Sequence, residues 1–181
     1  MKRLLLIFSL LVIVVHAEEA DSLWSKVDNG LRGRLIILPP TGNESPFYRV
    51  YVELQNVQNV LGQKKIKFNS NKMTFKVTSK DGELTSPSES VYDGFKPGWE
   101  PILLPTEGTI RFRISYPGAG VPPGTKAMID LDSPNIWIIP QDGKAYYLSG
   151  TLSIPEESTD HPIMVWHGTL SFPSIEIPKV K

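Results

Sequence analysis

Residues 47–57 read Phe-Tyr-Arg-Val-Tyr-Val-Glu-Leu-Gln-Asn-Val. The stretch alternates without a break. Tyr48, Val50, Val52, Leu54 and Asn56 fall on one side, and Phe47, Arg49, Tyr51, Glu53, Gln55 and Val57 on the other. Successive side chains of a strand point to opposite faces. Period 2 over this length therefore predicts a strand with one face in a core and one largely in water.

Upstream, Leu31–Leu38 predicts a first strand, ended by Pro39-Pro40. The loop Thr41–Pro46 contains Asn43-Glu44-Ser45, an N-glycosylation pattern that matters only in a eukaryotic secretory route. Downstream, Lys64–Phe68 is a short strand, and Met73–Thr78 is another with Met73, Phe75 and Val77 on one face. Asp81-Gly82 and Asp142-Gly143 carry hairpin turn signals. Ile102–Leu104 is a short apolar run. In Thr109–Tyr116, Ile110, Phe112, Ile114 and Tyr116 face inward and Arg111 and Arg113 outward.

Ala127–Leu131 reads as an edge strand and Asn135–Ile139 as a short apolar one. Ala145–Ile154 sets Ser149, Thr151 and Ser153 against Tyr146, Leu148, Leu152 and Ile154, with Gly150 marking a bulge. Val165–Ile177 closes the chain as a strand pair or one bulged strand, interrupted at Pro173. No segment has a 3.6-residue period. The fold class expected is all-β, an antiparallel immunoglobulin-like β-sandwich of about seven to ten strands. It forms a single domain over residues 31–181. Glu18–Gly30, polar apart from Leu23, Trp24 and Val27, is a flexible lead-in.

The chain opens Met1-Lys2-Arg3, runs apolar from Leu4 to Val15, and continues His16-Ala17-Glu18-Glu19. A short basic region, an apolar core and a small residue make residues 1–17 a secretory signal peptide cleaved after Ala17. The apolar run is too short to span a bilayer, which takes about 20 residues. The expected location is secreted or periplasmic, with no membrane span after cleavage. Without Lys2 and Arg3, 17 basic residues face 19 acidic ones, a net of −2. That balance argues against nucleic acid as partner. Cysteine is absent, so no disulfide, thiol nucleophile or thiolate metal site exists and the core holds the fold unaided.

Side chains that carry catalysis are sparse. Only His161 and His167 follow the signal peptide. With Asp160 and Glu156-Glu157 they could group around a metal, but their spacing matches no metal motif. Asp160-His161-Pro162 reads as turn chemistry and His167 as a half-buried strand residue. No Ser sits in a Gly-x-Ser-x-Gly context. Asp130 with Asp132, and Asp93 with Glu100, are the carboxylate pairs a hydrolase could use. The first pair could also hold calcium, although the plainer reading of Asp130-Leu131-Asp132 is a solvated edge. Arg111 and Arg113, with Arg49, Lys64, Lys65 and Lys67, suggest a basic sheet face, read as a solvated outer surface. Tyr92, Phe95 and Trp99, in the irregular section Leu84–Pro101, are the best candidates for a binding surface, because exposed aromatic rings stack on sugars or seat a partner chain. Val121, in the Pro117–Gly124 loop, joins them.

The strand ending Leu54-Gln55-Asn56-Val57, the strand to Ile66-x-Phe68, Phe75-x-Val77, Asp81-Gly82 and Leu104-Pro105-Thr106-Glu107-Gly108-Thr109 together resemble bacterial immunoglobulin-like domains, including the intracellular proteinase inhibitor of BsuPI type. The likeness covers Phe47–Tyr116 and is one of strand pattern. The second half is similar to exported planctomycete-type proteins. It shares with them the Arg-Phe-Arg strand, the Gly-Val-Pro loop, the Trp137 strand, Tyr147-Leu148-Ser149-Gly150-Thr151 and Trp166-x-Gly168-Thr169-Leu170. Those proteins carry no established activity. The inhibitor resemblance implies that a loop could enter a protease, while export argues against an intracellular target.

The expectation from sequence is an exported, non-catalytic binding or envelope structural protein without a cofactor, whose partner is a protein or a cell-envelope component. An inhibitor presenting a Pro-rich loop is the alternative, and a carboxylate-pair hydrolase the third reading.

Overall fold

The computed structural model describes residues 23–41, 45–57, 64–67, 72–84, 101–115, 121–131, 135–156 and 165–180. The proposed signal peptide lies outside the described residues, as do Asn43, Tyr92, Asp93, Phe95, Trp99, Glu100, Tyr116, Asp132 and His161. The strands are β1 (Leu31–Leu38), β2 (Arg49–Asn56), β3 (Lys64–Lys67), β4 (Met73–Ser79), β5 (Gly82–Leu84), β6 (Pro101–Leu104), β7 (Thr109–Arg113), β8 (Met128–Asp130), β9 (Ile136–Ile138), β10 (Tyr147–Ile154) and β11 (Gly168–Glu176). One sheet has the order β1-β2-β7 and a second the order β11-β10-β4-β5; β3-β6 and β8-β9 make two further ladders. Every one of these pairings is antiparallel. The fold is an all-β sandwich, as the alternation predicts.

β2 is the central strand of its sheet because both neighbours find a partner ladder on it. It pairs with β1 from Leu31↔Asn56 to Leu38↔Arg49, and with β7 on the other side from Tyr51↔Arg113 to Gln55↔Thr109. The inward residues are those the alternation names. Tyr48, Val50, Val52, Leu54 and Asn56 are all buried. Each apolar one contributes roughly 1.5–3 kcal/mol by leaving water. Asn56 ends the strand. Its N–H donates to Gly108 O, its C=O accepts from Glu107 N–H, and its Nδ2 donates to Leu104 O at 3.1 Å. At the other end Tyr48 Oη donates to Pro178 O at 2.7 Å, which ties the C-terminal segment to the core.

The facing layer supplies Met73, Phe75, Val77, Leu148, Leu152, Leu170 and Phe172 to the same core. The bulge expected at Gly150 is present. Between Leu148↔Ile175 and Gly150↔Phe172 the register slips, so β11 spends one extra residue around Pro173 and Ser174. Proline cannot donate to a ladder, and the unpaired position of a bulge accommodates it. Gly150 lies opposite Phe75; a Cβ there would stand 2.7 Å from the ring. The ring occupies the space that a side chain would need.

Several expectations change. Residues 23–30, read as a lead-in, lie against β1. Ser25 N–H donates to Gly33 O at 2.7 Å, Gly33 N–H donates to Ser25 Oγ at 2.9 Å, and Asp28 and Leu31 form a bridge. Asp142-Gly143 is a bend but not a hairpin, since β9 pairs with β8 while β10 pairs with β4 and β11. Asp130 is no solvated edge residue. β8 is covered on both faces, and Ala127, Met128, Ile129, Asp130 and Leu131 are all buried. β9 and the bridge from Phe47 to Met128 hold it there. His167 is exposed, because it stands just before β11 and outside its ladder; its carbonyl accepts from Asn29 Nδ2.

Candidate functional site

The outer face of the β1-β2-β7 sheet collects an unusual set of side chains. Alternation puts Arg32, Arg34, Ile36 and Leu38 of β1 on this face, with Arg49, Tyr51, Glu53 and Gln55 of β2 and Thr109, Arg111 and Arg113 of β7. The registers arrange them in rows. Arg32, Gln55 and Thr109 form one; Arg34, Glu53 and Arg111 the next; Ile36, Tyr51 and Arg113 the third; and Leu38 with Arg49 the last. Neighbouring rows are two residues, about 6.8 Å, apart along the strands, and neighbouring strands lie about 4.8 Å apart.

The chain has six arginines. Arg3 aside, all of them are on this face, and none of its three strands contains a lysine. Described lysines such as Lys76 and Lys144 lie elsewhere, paired with Glu83 and Asp81. The three strands of this sheet thus carry arginine and no lysine. Arginine presents a planar fork of donors that matches carboxylate, sulfate or phosphate oxygens in pairs, whereas lysine is a strongly hydrated point charge.

Glu53 is the one carboxylate on this face among the described residues, and it is almost wholly consumed. Arg34 places both Nε and Nη2 at 2.6 Å from Oε2. Arg111 donates to Oε1 from Nη2 at 2.7 Å and from Nε at 3.1 Å. The two guanidinium groups lie across it, so the Glu53 side chain is only 7% exposed although it points away from the core. This corrects the expectation of a water-facing Glu53. Burial pushes its carboxyl pKa up, but the hydrogen bonds from Arg111 and Arg34, with their charges, outweigh burial and hold it below its ordinary value.

Trp24 covers one side of the face. Its ring centre is 4.7 Å from the Arg32 guanidinium carbon and 4.5 Å from that of Arg34, within cation–π range of both. Arg32 also donates from Nε to Gln55 Oε1 at 2.8 Å. These contacts fix the β1 guanidinium groups. On β7 the Arg111 side chain remains 52% exposed, and Arg113 is exposed too. Arg49 keeps a buried Nε–H with no hydrogen-bond partner among the described residues. Five guanidinium groups over one neutralised carboxylate make a surface complementary to an anion.

The expected binding residues are distributed differently. Tyr92, Phe95 and Trp99 lie outside the described residues. Val121 is 41% exposed, beside a turn closed by Thr125 N–H donating to Pro122 O. Of the expected basic face, Arg49, Arg111 and Arg113 do come together. Lys64, Lys65 and Lys67 belong to β3, whose partner is β6 in a separate ladder. Arg32, Arg34 and Trp24 were missed. A signal existed: Arg-x-Arg occurs twice, at 32–34 and 111–113, in the two strands that border β2. Among the described residues no three His, Asp or Glu side chains group as a metal site, and no helix is long and apolar enough to cross a membrane.

The fold and this face together define an all-β sandwich with an arginine-rich outer sheet. Compared with protein-family models, curated proteins and solved structures, the chain matches none.

Proposed function

We propose that this chain is an exported, non-catalytic binding protein that engages an anionic partner through the outer face of β1-β2-β7. The observation that carries this reading is the gathering of every arginine after residue 3 on one face, with Glu53 already neutralised by two of them. The overall charge is balanced, so the attraction is local rather than a field of the whole molecule. Export is supported by the basic–apolar–small pattern of residues 1–17.

The test is salt-dependent retention on an immobilised polyanion. Wild-type protein is retained at low ionic strength and elutes as salt screens the contact. The double variant Arg111→Gln/Arg113→Gln, checked for native circular dichroism, elutes at markedly lower salt. Equal elution of a folded double variant and wild type would remove the face from the reading.

A further inference from the structure

The composition of the arginine face narrows the kind of anion it suits, and this step rests on the anion-binding reading above. We infer that the partner is an acidic polysaccharide, a polymer of uronic-acid sugars, with Tyr51 as the platform for one sugar ring and the β7 guanidinium groups as receptors for its carboxylates.

Tyr51 occupies the middle of the face. It lies between Ile36 on β1 and Arg113 on β7, and between Arg49 and Glu53 along its own strand. It is half-buried, and its hydroxyl makes no hydrogen bond among the described residues. An aromatic ring flanked by cations is suited to a ligand that has both an apolar ring face and charged oxygens. Carboxylate, sulfate and phosphate all pair with arginine; the ring face is what a sugar adds. Arg113 is the direct cross-strand neighbour of Tyr51, about 5 Å away, and Arg111 is two residues further along β7, about 7 Å from Arg113. A chain of acidic sugars lying along β7 therefore meets two guanidinium groups, Arg113 and Arg111, spaced by two residues. Arg49, on the other side of Tyr51, holds a buried Nε–H without a partner among the described residues.

Two competing partners fit less well. A nucleic acid would be favoured by a basic surplus over the whole chain, and there is none. An anionic membrane is drawn to flexible, mainly diffuse charge with apolar side chains that insert. Here the β1 guanidinium groups are pinned by Trp24 and Gln55, and the two aliphatic side chains on the face offer little to insert, Ile36 being half-buried and Leu38 38% exposed.

The experiment titrates the secreted form with four probes: polygalacturonate, the same polymer with its carboxyls methyl-esterified, polyglutamate, and vesicles containing anionic lipid. Variants are Arg113→Gln, Tyr51→Phe and Tyr51→Thr, each confirmed folded. Polygalacturonate is expected to bind best, esterification to abolish binding, and Arg113→Gln to weaken it about tenfold. Tyr51→Thr should weaken it by a similar factor, while Tyr51→Phe, which keeps the ring, should not. Equal binding of polyglutamate and polygalacturonate, with Tyr51→Thr indifferent, would overturn the sugar assignment and leave the anion-binding reading standing. Tighter binding to vesicles than to any polymer would also overturn it. Failure to bind any polyanion would sink both.

Discussion

Gly33 on β1 lies against the ring of Phe172 on β11: a Cβ placed on Gly33 would stand 2.6 Å from Phe172 Cε1 and 2.9 Å from Leu54 Cδ2. This contact joins the two sheets where the arginine face begins, because Gly33 sits between Arg32 and Arg34 on the opposite side of the strand. Leu54 is fully buried and Phe172 nearly so, so neither can swing aside cheaply. Gly33→Ala is expected to destabilise the protein by about 1–3 kcal/mol through overpacking. The midpoint of urea unfolding measures it. An unchanged midpoint would show that the layers can part by the width of a methyl group, and the close approach would lose its structural importance.

Glu53→Gln tests the arrangement under the charges. The substitution removes the carboxylate that Arg34 and Arg111 share. Both arginines retain access to water, so the loss is smaller than for a fully buried pair, about 1–2 kcal/mol at neutral pH. The pH dependence is more diagnostic. The folded-state pKa of Glu53 is lowered from 4.5. A lowered carboxyl contributes stability that is fully present above the unfolded value and is lost as pH falls through the folded one. Wild type should therefore lose more stability than Glu53→Gln on acidification below about pH 4.5. Parallel pH profiles would mean that the carboxylate gains nothing from its two arginines.

Trp24→Ala should affect binding more than folding. The ring's contacts with Arg32 and Arg34 are worth about 0.5–1 kcal/mol at a partly exposed site. Its larger effect is to leave two guanidinium groups free to reorient, so ordering them falls on the binding step. Affinity for an anionic polymer is expected to fall severalfold, and Trp24→Phe to recover part of it. A Trp24→Ala variant that unfolds at much lower urea while a folded fraction binds normally would make the residue purely structural.

The strands were legible wherever one face is buried and the other is not. β1, β2, β4, β7 and β10 each show the alternation, and the burial of Leu31, Val50, Phe75 and Leu148 follows it, with Ile110 and Phe112 of β7 half-buried against the core. β8 and β9 carry three residues each, and β8 is buried on both faces, so alternation had nothing to report there. Asp142-Gly143 shows a second limit. A turn signal reports that the chain bends, not which strands pair, and β9 and β10 go to different partners. The arginine face was only half visible for the same reason. Alternation places Arg111-x-Arg113 outward, but its joining with Arg32-x-Arg34 depends on β1 and β7 both pairing with β2. That is a fact of topology. Glu53 reads in sequence as solvated because alternation places it outward; the two guanidinium groups that bury it come from the neighbouring strands on either side, Arg34 19 and Arg111 58 residues away.

Asn56 offers the sharpest test of the core. It is fully buried at the end of β2, and its amide donates to Leu104 O, the last residue of β6. Asn56→Ala leaves that carbonyl without its donor and should cost about 1–3 kcal/mol. Asn56→Asp is nearly isosteric but replaces the donor by an acceptor, so two oxygens face each other in a dry site. The new carboxyl should have its pKa raised by burial, the opposite of Glu53. A carboxyl whose folded pKa lies above its unfolded one destabilises the protein when ionised, so stability falls as pH rises. Protonated, the acid can again donate to Leu104 O. Asn56→Asp is therefore expected to be less stable than Asn56→Ala at pH 7 and to recover toward wild type as the pH is lowered. Urea midpoints of the two variants between pH 7 and pH 5 decide it: an aspartate variant that does not gain on the alanine variant over that range would show that water reaches this end of β2.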